Sequence, residues 1–205
     1  MLTVHRLATR RGKAYLRDCL GYVSLAATLV PVGFIAQKKG WGTNRSFALA
    51  ISTVPPLFAT VLAARAEAGP SAATPGKQRY NLRVENAYGG SLSFGRALLR
   101  NVVKIGLPWQ LGHTVAVGAA FGGFEQRDAV TIGATVVTYT LLGAMVVSAA
   151  FGNGVAIHDR IAGTNVRDTS TLGTSGRTVD QVIQAAVKTI RREPYWSTPN
   201  RFESL

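Results

Sequence analysis

Four long segments without a charged residue constrain this chain more than any other feature. They cover residues 19–37, 46–64, 105–124 and 129–151, and none contains Lys, Arg, Asp or Glu. A helix needs about 20 predominantly apolar residues to cross the hydrocarbon core of a bilayer. The pattern therefore predicts an all-α membrane fold, a four-transmembrane-helix bundle. Burial of all four segments inside a soluble all-α domain is the disfavoured alternative.

Polar and small residues inside these segments predict how the spans pack. Gln110 and His113 interrupt the third span, and two interpretations stay open for them: a pore or relay, or the preferred one of hydrogen bonds between helices. Pro55 and Pro56 predict a kink in the second span. The Gly118–Gly122 spacing is a GxxxG pattern, which is typical of a helix contact within the bundle or in a homodimer.

The distribution of positive charge predicts the orientation. The net charge is +13, and nineteen of the 23 Lys and Arg residues lie before the first span, between spans two and three, or after the fourth. Because basic residues are retained in the cytoplasm, both termini are predicted to be cytoplasmic in a multi-pass protein of the cell (plasma) membrane. This placement accounts for the charge excess, so we expect the lipid bilayer and no nucleic acid as partner.

The predicted parts of the chain are a cytoplasmic N-terminus (1–18), a membrane domain (19–167) and a cytoplasmic tail (168–205). Within the membrane domain, residues 65–104 form a small cytoplasmic segment of strand and helix. Alternating residues predict a strand over 79–85, and Ser93 is a candidate cap for a helix that ends near residue 104.

A basic cytoplasmic face is predicted on this segment. Arg96, Arg100 and Lys104 follow one another at intervals of four residues, and Lys77 and Arg83 lie in the same segment. The helix is expected at the membrane interface with its cations toward the phosphates of anionic lipid. The other interpretation, which is compatible with the first, is that these cations simply flank span three.

The tail carries one predicted amphipathic helix, residues 178–193. Thr178 and Gln181 have the spacing of a capping box, and apolar residues follow at helical intervals. We expect this helix to lie on the membrane surface or to dock on a protein partner.

Charged motifs flank the predicted spans. Arg11 and Asp18 are two helical turns apart before span one, and His158 and Asp159 come shortly after span four. Between them lie residues 74–78 (TPGKQ) and 89–101 (GGSLSFGRALLRN). Together with residues 158–164 (HDRIAGT), these motifs resemble the RDD family of small bacterial membrane proteins, over roughly residues 6–167.

The resemblance implies roles for three of these residues. The Arg and two Asp residues after which the family is named correspond to Arg11, Asp18 and Asp159, although Arg17 competes with Arg11 as the counterpart. Some members of the family are linked to sodium/proton exchange, so the resemblance implies a transport function as one alternative.

Two hypotheses follow for the charged group Arg11, Asp18, His158 and Asp159. One is a cation or proton site, in which His158 titrates near neutral pH. The favoured one is a salt-bridge clasp that fixes the helix ends, because transporters bind ions near the middle of the bilayer and no predicted span carries an acidic residue there.

Catalytic function is not expected. The chain has no P-loop, zinc-protease or dinucleotide motif, and its single cysteine, Cys19, excludes an internal disulfide. We expect no cofactor and no metal. The favoured function is a non-catalytic accessory or scaffold protein whose basic cytoplasmic face binds a partner or anionic lipid. The alternative is a transporter, or transport-associated protein, for a monovalent cation or proton.

Overall fold

A computed structural model describes residues 4–170 of the chain, and the elements below belong to one compact unit, Met1–Asp168. The predicted tail helix, 178–193, lies outside the described residues. The helices are α1 (Ala8–Ala27), α2 (Val30–Lys38), α3 (Arg45–Ser52), α4 (Val54–Ala68), α5 (Pro75–Arg79), α6 (Phe94–Asn101), α7 (Leu107–Ala120), α8 (Ala129–Ala150) and α9 (Ile157–Ala162), and the strands are β1 (Leu82–Asn86) and β2 (Thr164–Asp168).

Three helical stretches are long and apolar enough to cross a membrane: Ala8–Lys38, Arg45–Ala68 and Ala129–Ala150. Large apolar side chains on them are exposed, among them Phe34 on α2 and Val136 on α8. Exposed apolar side chains along a whole helix are expected where lipid, rather than water, is the solvent. The structure therefore confirms an apolar helical protein of the membrane type.

A pair of proline residues lies at the break inside the second of these stretches. α3 ends at Ser52 and α4 begins at Val54, with Pro55 and Pro56 in its first turn. A proline has no N–H to donate, so the first turn of a helix is where it costs least. The predicted kink of the second span lies at this break.

The third predicted span is shorter than the other candidates. α7 has 14 residues, and a π-helical turn, Val102–Gly106, joins it to α6.

Helix α7 packs closely on α8 at Gly118. A Cβ atom at Gly118 would lie 2.8 Å from Thr131 Cγ2 and closer still to the Thr131 hydroxyl. Gly118 is thus used for a contact within the bundle.

A small sheet and two short helices cover one end of the bundle. Strands β1 and β2 pair antiparallel, with Val84 opposite Val166. The sequence pattern places a strand over 79–85; in the structure residue 79 ends α5 and β1 begins at Leu82. Ser93 caps α6 by accepting a hydrogen bond from the Arg96 N–H, as predicted.

Candidate functional site

Five charged side chains meet at the end of the bundle where the sheet lies. Arg11 comes from the first turn of α1, Glu67 from the last turn of α4, Lys77 from α5, Arg100 from α6 and Asp159 from α9. Glu67, Arg100 and Asp159 are each at most 1% exposed. We call these five residues the charge cluster. Because each member comes from a different helix, the cluster ties the ends of those helices together.

Glu67 accepts hydrogen bonds from three donors. Lys77 Nζ lies 2.6 Å from Oε1, and Arg100 Nη1 lies 2.7 Å from Oε1 and 2.8 Å from Oε2. Asn101 Nδ2 donates to Oε2 at 2.8 Å. A buried carboxylate is tolerated only when its oxygens are fully engaged in this way.

Asp159 is the second carboxylate of the cluster. Arg100 Nε donates to its Oδ1 at 2.8 Å, Arg11 Nη2 donates to Oδ2 at 2.5 Å, and Thr164 Oγ1 donates to Oδ1 at 3.0 Å. Arg11 also donates to the carbonyl oxygen of Gly154. Arg100 therefore bridges the two buried carboxylates, and Arg11 fixes the start of α1 to α9.

The charges of the cluster are stable at neutral pH. Burial alone raises the pKa of Asp159, but the charges of Arg100 and Arg11 outweigh it and hold that pKa well below its ordinary value. Burial likewise lowers the pKa of Arg100, but Asp159 and Glu67 together raise it above its ordinary range. Neither group exchanges a proton near pH 7, which suits an ion pair and not a proton carrier.

Asp18 makes a separate contact. Its Oδ2 accepts a hydrogen bond from Thr74 Oγ1 at 2.6 Å, and its Oδ1 accepts one from the Gly76 N–H at 2.7 Å. Among residues 4–170 no cation forms an ion pair with it. The structure thus unites Arg11 with Asp159, as the sequence suggests, and joins Asp18 to the start of α5.

His158 is buried beside the cluster. Its Nε2 lies 3.7 Å from Asp159 Oδ2, and its Nδ1 has no hydrogen-bond partner among the described residues. Burial and the nearby charge of Arg100 lower the pKa of His158 well below its ordinary value. The imidazole is therefore neutral at pH 7, contrary to the titration near neutral pH that the sequence suggests.

The basic face predicted from spacing is only partly a surface. Lys77 and Arg100 are buried in the charge cluster, and Arg83 pairs with Glu85. Arg96 is exposed. Lys104 is half-buried, with its Nζ 5.2 Å from the centre of the Tyr15 ring. The regular spacing along α6 thus combines an exposed cation with an interior one.

Exposed charge at this end of the bundle is nevertheless basic. We define the charged end as residues 4–18, 65–104 and 152–168. The acidic residues described there are buried or half-buried, so every exposed charged side chain described there is a cation. The acidic set is Asp18, Glu67, Glu85, Asp159 and Asp168, and the exposed cations are Arg6, Lys13, Arg17, Arg65, Arg79, Arg96, Arg160 and Arg167.

Gln110 and His113 lie on α7, as the sequence places them. Neither side chain donates or accepts a hydrogen bond within residues 4–170, and His113 Nδ1 is buried. The hydrogen bonds between helices that we predict for them are therefore not formed between described residues.

Chemically, the cluster joins helix ends through ion pairs. Across residues 4–170 no group of three or more His, Cys, Asp or Glu side chains has the arrangement of a metal site. The carboxylate oxygens of Glu67 and Asp159 already face cations, which leaves them poor ligands for another.

Two members of this arrangement are missed by reasoning from the sequence. Glu67 falls three residues beyond the charge-free window that ends at residue 64, and Asn101 follows Arg100 directly. The available signal is an acidic residue one turn past a predicted span, because a charge at a span end is usually paired.

Comparison with known proteins is consistent with this architecture. The family model described as the RDD family matches residues 7–163. No curated protein and no solved structure matches the chain. The matched region begins just before α1 and ends just after α9, so it contains every member of the charge cluster.

Proposed function

This chain belongs to the RDD family, whose members are membrane proteins, and we propose that it is a non-catalytic accessory or scaffold protein of the plasma membrane. In this proposal the charged end faces the cytoplasm and binds an acidic protein partner or the headgroups of anionic lipid. The observation that carries it is the charge exposed at that end: its carboxylates are buried or half-buried, so every exposed charged side chain described there is a cation.

The proposal includes four spans, with α7 as the third. Arg100 of α6 belongs to the charge cluster, whereas Asp128, which caps α8, pairs with Arg45 Nη2 at 2.5 Å at the start of α3. α3 and α4 form one candidate span, whose other end carries Glu67. Residues 101 and 128 therefore lie near opposite ends of the bundle. The chain that joins them contains α7, which supports a crossing by α7.

Cysteine labelling tests this topology. After Cys19→Ala, single cysteines in Gly42→Cys and Gln126→Cys should react with a membrane-impermeant maleimide on intact cells. Ser71→Cys and Ser175→Cys should react only after permeabilisation, because the positive-inside rule places them in the cytoplasm. The inverse pattern would overturn the orientation, and outside labelling of Gln126→Cys and Ser71→Cys together would overturn the crossing by α7.

Transport of a monovalent cation or proton has less support. Glu67 and Asp159 are engaged by cations, and His158 is neutral at pH 7 because burial lowers its pKa. An exchanger needs a carboxylate that alternately binds and releases its ion. The same ion pairs favour a rigid clasp, which presents the exposed cations in a fixed arrangement.

Neutralising exposed cations tests the basic surface. The protein in nanodiscs of zwitterionic lipid should sediment with vesicles that contain phosphatidylglycerol. The triple variant Arg6→Gln, Arg79→Gln, Arg96→Gln should bind them about 100-fold more weakly, since each cation near an anionic surface contributes about 1 kcal/mol. The matched control is Arg127→Gln, an exposed arginine near Asp128 at the opposite end, which should bind like the wild type.

A protein partner is tested by purification from mild detergent. A stoichiometric partner should be lost both in the triple variant and on truncation at Thr178. Absence of a partner, together with vesicle binding unchanged in the triple variant, would overturn the proposal. Sodium-driven proton flux in liposomes that Asp159→Asn abolishes would support the transporter instead.

A further inference from the structure

A cavity of about 240 Å³ lies between α1 and α8, beside the charge cluster. Its polar side is lined by Arg11, Lys77, Arg100, Lys104 and His158, and none of the lining residues that the structure describes is acidic. Arg11, Lys77 and Arg100 are already paired with Glu67 or Asp159, so Lys104 and the unpartnered Nδ1 of His158 are the groups left to face an anion in the cavity.

The charge of the interior is also out of balance. The charge cluster contains three cations against two carboxylates; half-buried Lys104 adds a further cation and buried Asp18 a further carboxylate, which leaves one positive charge in excess. Among residues 4–170 no carboxylate forms an ion pair with Lys104, whose ammonium faces the Tyr15 ring. Burial, together with Lys77 and Arg100, lowers the pKa of Lys104 well below its ordinary value. A buried excess of positive charge is costly unless an anion lies near it.

The other side of the cavity is apolar. Leu142, Met145, Val146 and Ala149 of α8 line it, and Leu142 and Val146 are exposed. α8 and the stretch that contains α1 are both long and apolar enough to cross a membrane. The gap between them therefore adjoins the region that acyl chains fill in a bilayer.

We propose that this cavity binds one anionic phospholipid. The phosphate lies near Lys104, Arg11 and the free Nδ1 of His158, and an acyl chain lies along Leu142 and Val146. An inorganic anion would use only the basic side, and a neutral lipid would leave the positive charge uncompensated. The site is separate from the exposed cations of the proposed function, so each proposal fails or stands without the other.

The test is native mass spectrometry of the full-length protein, delipidated in mild detergent and titrated with short-chain phosphatidylglycerol. One lipid per chain should bind tightly. Lys104→Gln should weaken this binding about tenfold, since a hydrogen bond to a charged group contributes about that factor or more. Lys13→Gln is the matched control: Lys13 is exposed on α1 and does not line the cavity, so the affinity should be unchanged.

Two further experiments distinguish a bound phospholipid from a free inorganic anion. Ala149→Phe adds a ring to the apolar wall and should also weaken lipid binding, while inorganic phosphate should not compete at equal concentration. Equal binding of phosphatidylcholine would reduce the site to an apolar groove, and equal binding of inorganic phosphate would reduce it to an ion site; either overturns the proposal. Unchanged affinity in Lys104→Gln would overturn it as well. Thermal unfolding of both variants without lipid checks that they are folded.

Discussion

Replacing Arg100 with alanine is expected to lower the free energy of unfolding by about 3–5 kcal/mol, which is the cost of removing one partner from a buried ion pair. The change leaves Glu67 and Asp159, both at most 1% exposed, without the cation that lies between them. Loss of the guanidinium also removes hydrogen bonds to both carboxylates. The measurement is thermal unfolding in mild detergent, followed by circular dichroism.

Two matched variants serve as controls for Arg100→Ala. Arg96→Ala, one turn earlier on α6, removes an exposed arginine and should change the unfolding free energy by no more than about 0.5 kcal/mol. Arg100→Lys keeps the charge but not the planar fork that reaches both carboxylates, so its loss should fall between the two. Equal stability of Arg100→Ala and Arg96→Ala would contradict the role of Arg100 as the bridge of the charge cluster.

Three of the four predicted spans correspond to helical stretches that are long and apolar enough to cross a membrane, because bilayer thickness sets a length that a charge-free segment reveals directly. The window method fails at span ends. Glu67 belongs to the last turn of α4, yet it lies outside the charge-free segment 46–64 because Arg65 ends that segment. Sequence reasoning therefore overlooked the carboxylate that Arg100, Lys77 and Asn101 share.

Whether a side chain is buried was harder to predict than the side of its helix on which it lies. Arg96 and Arg100 lie four residues apart and point to similar sides of α6, but one is exposed and the other is buried. The difference arises from Glu67 and Asp159, which are distant in sequence from Arg100. Lys104 itself lies within the π-helical turn Val102–Gly106, which departs from the α-helical spacing because a π turn takes up an additional residue.

The contact between Arg11 and Asp159 was foreseeable, whereas that of Asp18 was not. Both termini of the predicted bundle lie at one end, which brings the start of α1 near the chain that follows α8. Asp18 binds a backbone N–H and a threonine hydroxyl. Such partners carry no charge signal in the sequence, so charge pairing alone assigned Asp18 to a cation. The pairing of β1 with β2 joins residues about 80 positions apart, beyond what local alternation predicts.

Gly76→Ala is expected to be the second strongly destabilising change, by about 1–3 kcal/mol or more from overpacking. A Cβ atom at Gly76 would lie 2.7 Å from Asp18 Oδ1 and closer still to the Ala14 carbonyl oxygen. α5 would have to move away from α1, and the hydrogen bond from the Gly76 N–H to Asp18 would be lost. Unfolding in the same detergent measures the effect.

Gly95→Ala is the matched control for Gly76→Ala, because a Cβ atom at Gly95 meets nothing within 4 Å. Alanine is favoured over glycine in a helix by roughly 0.5–1 kcal/mol, so Gly95→Ala should be neutral or stabilising. Combining Gly76→Ala with Asp18→Asn should cost less than the sum of the two single changes, since both remove the same contact between α1 and α5. Additive losses, or a Gly76→Ala variant as stable as Gly95→Ala, would show that this contact does not hold α5 in place. If Gly76→Ala removes only the contact between α1 and α5, Lys77 still binds Glu67. We then expect the folded fraction of the variant to keep its lipid or partner binding at the charged end.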